Sequence, residues 1–256
     1  MGSKTIFLVL AVSWGATVLA QSAASPGVAA SVDPSVTFTL DFPGSVPSYY
    51  SITVAASGKA SYTSGRIGVS ATDKGNAGAK TSSGIDSDST SDSDSESVSD
   101  SSPETPYQYQ FKVGEPNRTR IFDLAARAHY FQSELNYNKH NLANTGAKTL
   151  AYQDGRVNNH ATYNYTTNQP AQQLTALFQN MSATLEFGRQ LSDSYRHQKL
   201  ALEQELKRME EMAKASNLEE LQAVSPILKQ ILADKTVINV TRARAERLLA
   251  LAAAGR

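Results

Sequence analysis

Histidine is the first residue type to examine for catalysis or metal binding, and this chain of 256 residues has four: His129, His140, His160 and His197. No two of them stand four apart around a glutamate, as a zinc-binding HExxH helix requires. None has a carboxylate at a recognisable metal-ligand spacing. Cysteine is absent, which removes thiol nucleophiles, zinc–thiolate sites and disulfides together. No G-x-S-x-G elbow, Walker A loop or G-x-G-x-x-G turn occurs. Gly75, Gly78 and Gly84 lie in a low-complexity stretch, where they cannot cradle a phosphate at a helix terminus. The carboxylate pairs Glu203/Glu205 and Glu210/Glu211 read as the wet face of a charged helix. A hydrolase assembled from residues remote in sequence stays open, and it requires a histidine beside a carboxylate in one pocket. These observations point to binding rather than catalysis, with no cofactor and no metal.

Tyrosine is the unusual feature. Tyr49, Tyr50, Tyr62, Tyr107, Tyr109, Tyr152, Tyr163 and Tyr165 all fall in predicted strands or at their edges. Cross-strand aromatic pairs stabilise a sheet by up to about 1 kcal/mol each. Tyrosine is also enriched in contact surfaces. Tyr107, Tyr109, Tyr163 and Tyr165 are therefore the candidate binding residues, although alternation points them with the apolar set.

The elements that must position these residues can be read from periodicity. Val36, Phe38, Leu40 and Phe42 alternate with polar residues, as do Tyr50, Ile52 and Val54. Ser57-Gly58 turns the chain into a partner strand at Ala60–Tyr62. Tyr107, Tyr109, Phe111 and Val113 make another half-buried strand. Asp154-Gly155 is a strong hairpin signal between segments 148–152 and 156–166. A helix over 117–132 is predicted, with Asn117 as N-cap and Ile121, Leu124, Ala125, Ala128 and Phe131 buried.

The longest signal is the apolar stripe from Pro170 to Lys214, read as one helix roughly 65–70 Å long. A strand spans only about 20 Å. The overhanging half must then pack on the C-terminal helices. These are a short one begun by Asn217 and Glu220, one begun by Ser225-Pro226, and one over 235–253 burying Val237, Ile238, Ala245, Leu248 and Leu249. Glu203–Lys207 and Glu210–Lys214 mark its solvent side.

Residues 1–20 read as a signal peptide. Lys4 precedes an apolar run from Ile6 to Ala20, and Val18-Leu19-Ala20 offers a cleavage site. No later segment is apolar enough to span a membrane. Export to the periplasm or the exterior follows, and an exported chain without disulfides fits a bacterial route. Residues 21–32 read as a flexible leader and 66–104 as a disordered insert rich in Gly, Ser and Asp. Seven of the 24 acidic residues lie between Ile85 and Thr105, so the remainder carries an excess of about seven positive charges. No dense basic cluster appears, which argues against nucleic acid.

The segments FTLDFPGSVPSYYSITVAASGKASY (38–62), RTRIFDLAARAHYF (118–131), TGAKTLAYQDG (145–155) and NQPAQQLTALFQNMSATLEFGRQL (168–191) resemble a family of uncharacterised exported proteins of acidobacterial type. That resemblance implies no activity and transfers no functional residue. In the order of its elements the chain is also similar to emfourin-like inhibitors of thermolysin-type metalloproteases. The long helical tail departs from that pattern, and no inhibitory motif is present.

The expectation is an α+β fold over about 33–190, with an antiparallel sheet of about five to six strands against helices. A helical extension, a hairpin or small bundle, follows over 190–254. The expected function is that of an exported, non-enzymatic binding protein whose partner is an envelope or secreted protein. Inhibition of a secreted metalloprotease and hydrolysis are the alternatives.

Overall fold

The computed structural model describes residues 33–65, 106–137 and 142–255. The expectations for the signal peptide, the leader, the acidic insert and His140 lie outside them. Six strands follow the alternation: β1 Ser35–Asp41, β2 Tyr49–Ala55, β3 Lys59–Ser64, β4 Tyr107–Lys112, β5 Ala147–Gln153 and β6 Asn158–Tyr163. They form one sheet in the order β4-β3-β2-β1-β5-β6, with every pairing antiparallel. The fold is α+β. Phe38 on central β1 faces Ile52 on one side and Leu150 on the other. The opposite face carries hydroxyl pairs, Thr37–Thr53 at 3.0 Å and Thr149–Thr162 at 2.9 Å. One face is thus dry and the other polar, as period two dictates. Gly58 and Gly155 turn the hairpins with φ of 85° and 83°, a region that favours glycine.

The dry face is covered by α1 (Glu115–Arg127) and α2 (Gln169–His197). Pro170 sits in the first turn of α2, and Asn168 Oδ1 accepts the Ala171 N–H at 3.0 Å. Leu174, Phe178, Met181 and Leu185 seat on the sheet, and the Phe178 ring stacks on Phe38 at 5.5 Å. Beyond that point α2 belongs to a second apolar core. Phe187 and Leu191 pack with α3 (Leu202–Lys214), α4 (Ser225–Ala233) and α5 (Asn239–Ala253). Among the described residues no helix is long and apolar enough to cross a membrane.

The structure corrects several expectations. The stripe from Pro170 to Lys214 is two helices: α2 has 29 residues and is about 43 Å long. It ends where Gln198 leaves the helical region at φ −147°. No Gly or Pro marks the break. Tertiary partners supply it: Tyr195 Oη and Lys199 Nζ both donate to Asp234, at 3.0 and 2.7 Å. The α1 helix starts at Glu115 with Gly114 as N-cap, and Asn117 instead donates its amide to Glu220 at 2.8 Å. Glu220 stands at the N-cap of a 3₁₀ turn rather than inside an α-helix; it is buried in the left-handed region at φ 61°, and its side chain accepts the Gly114 N–H at 2.9 Å. A carboxylate distant in sequence thus accepts the N–H of the N-cap residue, the bond that an N3 glutamate makes in a capping box, and brings negative charge to the positive end of the helix.

The short helix expected there is a single 3₁₀ turn over Leu221–Val224. The last helix begins at Asn239, leaving Ile238 exposed, and the expected strand over 156–166 shrinks to Asn158–Tyr163. The first helix ends at Arg127, and His129, Tyr130 and Phe131 form a left-handed turn with φ of 52°, 50° and 60°. Each such residue costs about 1–2 kcal/mol. Burial of Phe131 and the Tyr130–Tyr152 ring contact at 4.4 Å offset that cost.

Gly188 lies where the two cores meet on α2. A Cβ there would stand 2.6 Å from Val224 Cγ1. Gly188→Ala should therefore lower stability by about 1–2 kcal/mol despite the better helix propensity of alanine. In a double-mutant cycle with Val224→Ala, urea denaturation should return a compensating coupling of about 1 kcal/mol. Independent, additive effects would show that the close approach is not what the glycine serves.

Candidate functional site

Tyr107 and Tyr109 stand on β4, the edge strand of the sheet. Their inward register makes them half-buried, and with Phe111 they form a stacked row at 6.2 and 6.3 Å between ring centres. Tyr109 Oη donates to the Ala223 carbonyl at 2.7 Å, which ties the strand to the 3₁₀ turn. Below the two rings a groove of about 200 Å³ runs between β4, α2 and α4. Leu185, Gly188, Val224, Pro226 and Ile227 line it together with the polar Ser192 and Gln230. It lies at the seam of the two cores. Partial burial pushes the Tyr107 hydroxyl up to about 12, so it stays a neutral hydrogen-bonding group at ordinary pH. No carboxylate, histidine or lysine lines the groove. The arrangement can hold an apolar side chain and orient a polar neighbour, but it offers no acid–base pair.

A buried polar network joins α2 to β3. Glu186 Oε1 accepts from Tyr62 Oη and Ser64 Oγ, both at 2.7 Å. Glu186 Oε2 accepts from Arg189 Nε at 2.7 Å. Burial, reinforced by the adjacent carboxylate, drives the Tyr62 hydroxyl far above its ordinary value.

Tyr163 and Tyr165 are brought elsewhere. β6 is the opposite edge of the sheet, five strand spacings from β4 or about 24 Å. The four candidate tyrosines therefore make two sites. Tyr163 is buried; its hydroxyl meets Thr175 Oγ1 and is pushed up to about 12 by burial. Tyr165 falls just beyond β6 and is 44% exposed, edge-on to Tyr137 at 6.0 Å, so it does not share the inward face expected of it. A cavity of about 190 Å³ opens there, with Lys148, Gln172 and Gln179 among its walls.

Among the described residues the histidines do not converge on one another. His129 begins the left-handed turn and His197 ends α2. His160 is exposed on β6, in a cavity of about 320 Å³ that Ser133 and Glu134 also line. Among the described residues no group of three His, Asp or Glu is placed to hold a metal ion.

Sequence reasoning missed Glu186, Lys148 and the contact role of Gly188. Lys148 was detectable: it shares the inward register of β5 with Leu150 and Tyr152, a position where charge is unusual. Glu186 interrupts the apolar stripe between Leu185 and Phe187, a weaker signal. Neither a family model, nor a curated protein, nor a solved structure matches this chain.

Proposed function

We propose that this chain is an exported, non-enzymatic binding protein of the periplasm or cell exterior. In this reading it takes an extended segment of an envelope or secreted protein along β4. The reading rests on one observation: an edge strand of alternating tyrosines stands beside a groove of about 200 Å³ lined by apolar side chains together with Ser192 and Gln230. Among the described residues no strand pairs with the outer edge of β4. A strand added to that edge would gain main-chain hydrogen bonds, and the alternate side chains of its inner face would drop into the groove. Tyr107 and Tyr109 supply rigid aromatic contact, and the Gln230 amide can orient the ligand, while the Ser192 hydroxyl donates to the Gly188 carbonyl at 2.8 Å. The apolar signal run at the start of the chain motivates the location.

The test is selection from a library of displayed random peptides, followed by amide exchange of the complex. Selected peptides should carry a large apolar residue, slow the exchange of outward-facing β4 amides, and bind Ile227→Asp at least tenfold more weakly. Peptides that protect other surfaces and bind Ile227→Asp unchanged would remove the proposal.

A further inference from the structure

The cavity at the β6 edge is lined by a buried cation whose hydrogen-bond partners are all neutral oxygens. Lys148 is 7% exposed. Its ammonium donates to Thr145 O at 3.1 Å, Thr145 Oγ1 at 2.8 Å and Asn164 O at 2.9 Å, with Gly146 O at 3.4 Å. Every one of those oxygens is neutral. Among the described residues no carboxylate stands within ion-pair distance of it, and none lines the cavity. Lysine is rarely buried without an acidic partner, because the desolvated cation then lacks a counter-charge.

The rest of the cavity extends the same bias. The first turns of α2 form one wall through Gln172 and Thr175, bringing the positive end of the helix dipole to the same side. Gln179 presents a side-chain amide one to two turns further on. At the mouth the Tyr165 ring, 44% exposed, offers an apolar face. Burial lowers the affinity of Lys148 for its proton, as expected for a cation without a counter-ion.

We propose that this cavity is a carboxylate-binding site in which Lys148 supplies the charge, Gln179 an amide donor and Tyr165 a contact for the organic part of the ligand. A monocarboxylate matches the single ammonium. A phosphate dianion would leave one negative charge unbalanced at a site with no arginine fork. The site is at the opposite edge of the sheet from the β4 groove and does not depend on it. The carboxylate could belong to a small organic acid or to the C-terminus of a peptide.

The experiment is an NMR titration of the full chain with benzoate, with a tripeptide carrying a free C-terminus, with benzamide and the amidated tripeptide as uncharged controls, and with inorganic phosphate. Benzoate or the free-ended tripeptide should give saturable shifts at Tyr165, Gln179 and the Lys148 side chain, while the uncharged controls give none. Tighter binding by the tripeptide would assign the site to chain termini, and tighter binding by benzoate would assign it to small acids. Lys148→Met should weaken binding at least tenfold. Gln179→Leu, which leaves the Lys148 cradle intact, should weaken binding several-fold and serves if Lys148→Met does not fold. Absence of saturable shifts with both carboxylates, tighter binding of phosphate, or undiminished binding by Gln179→Leu and Lys148→Met would overturn the proposal.

Discussion

Glu186→Ala should lower the stability of the chain by about 2–5 kcal/mol, chiefly because it strips two buried hydroxyls of their acceptor at about 1–3 kcal/mol each. The carboxylate is 7% exposed and collects three donors from two layers of the fold, Tyr62 and Ser64 from β3 and Arg189 from its own helix. Removing it leaves the Tyr62 hydroxyl in the core with only Ser182 Oγ, at 3.2 Å, and leaves Ser64 Oγ without its acceptor. An unmade hydrogen bond at a buried polar group costs about 1–3 kcal/mol. Arg189 is better placed to adapt, since it already approaches Asp193 at 3.7 Å and is partly exposed. Tyr62→Phe removes a single donor and should cost only about 1 kcal/mol. Urea denaturation of both variants checks the order. A Glu186→Ala variant within 1 kcal/mol of the parent would show that the sheet and α2 are not held together by this network.

Glu210→Gln should cost about 3 kcal/mol, and the cost should depend on pH. Glu210 joins α3 to α5: it accepts from Arg247 Nε and Arg244 Nη1, both at 2.8 Å, and meets Lys214 at 2.9 Å. Its side chain is only 4% exposed, and the hydrogen bond from Arg247 leads the causes that hold its carboxyl down at about 2, against an ordinary 4.5. A carboxyl whose folded value is depressed contributes stability that is complete above the unfolded value. The contribution is lost as pH falls from about 4.5 through about 2. The parent should therefore lose stability steeply over that window, and Glu210→Gln should be lower at pH 7 with a shallower acid limb. Asp234, held well below its ordinary value chiefly by the Lys199 hydrogen bond, contributes in the same direction and keeps the limb from vanishing. Parallel pH curves for the two proteins would contradict the assignment.

Glu210 also shows what the sequence could not reveal. Its i,i+4 relation to Lys214 placed it on the wet side of a helix, yet its dominant partners lie 34 and 37 residues away. The break at Gln198 was equally hidden, because the apolar stripe continues through it and no breaker residue stands there. The left-handed turn at His129–Phe131 has no glycine or asparagine to announce it. The strands were legible because each exposes one face and buries the other, so Val36, Phe38 and Leu40 declare their register directly. Strand order was not legible. β5 joins β1 rather than β4, and that choice sends Tyr163 and Tyr165 to the far edge from Tyr107 and Tyr109. Half of the candidate groove was thus readable as an aromatic strand, while its other wall, Val224 to Ile227, required the folded seam.

Helix α2 carries both cores, so the β4 groove has two walls fixed to one helix. Residue-resolved amide exchange under native conditions measures this directly. One shared opening free energy is expected for Leu174–Met181, for Phe187–Leu191 and for the amides of Leu228 and Ile231. Contradiction would be a much lower opening free energy from Phe187 onward, together with α3, α4 and α5, while the sheet and the first half of α2 stay protected.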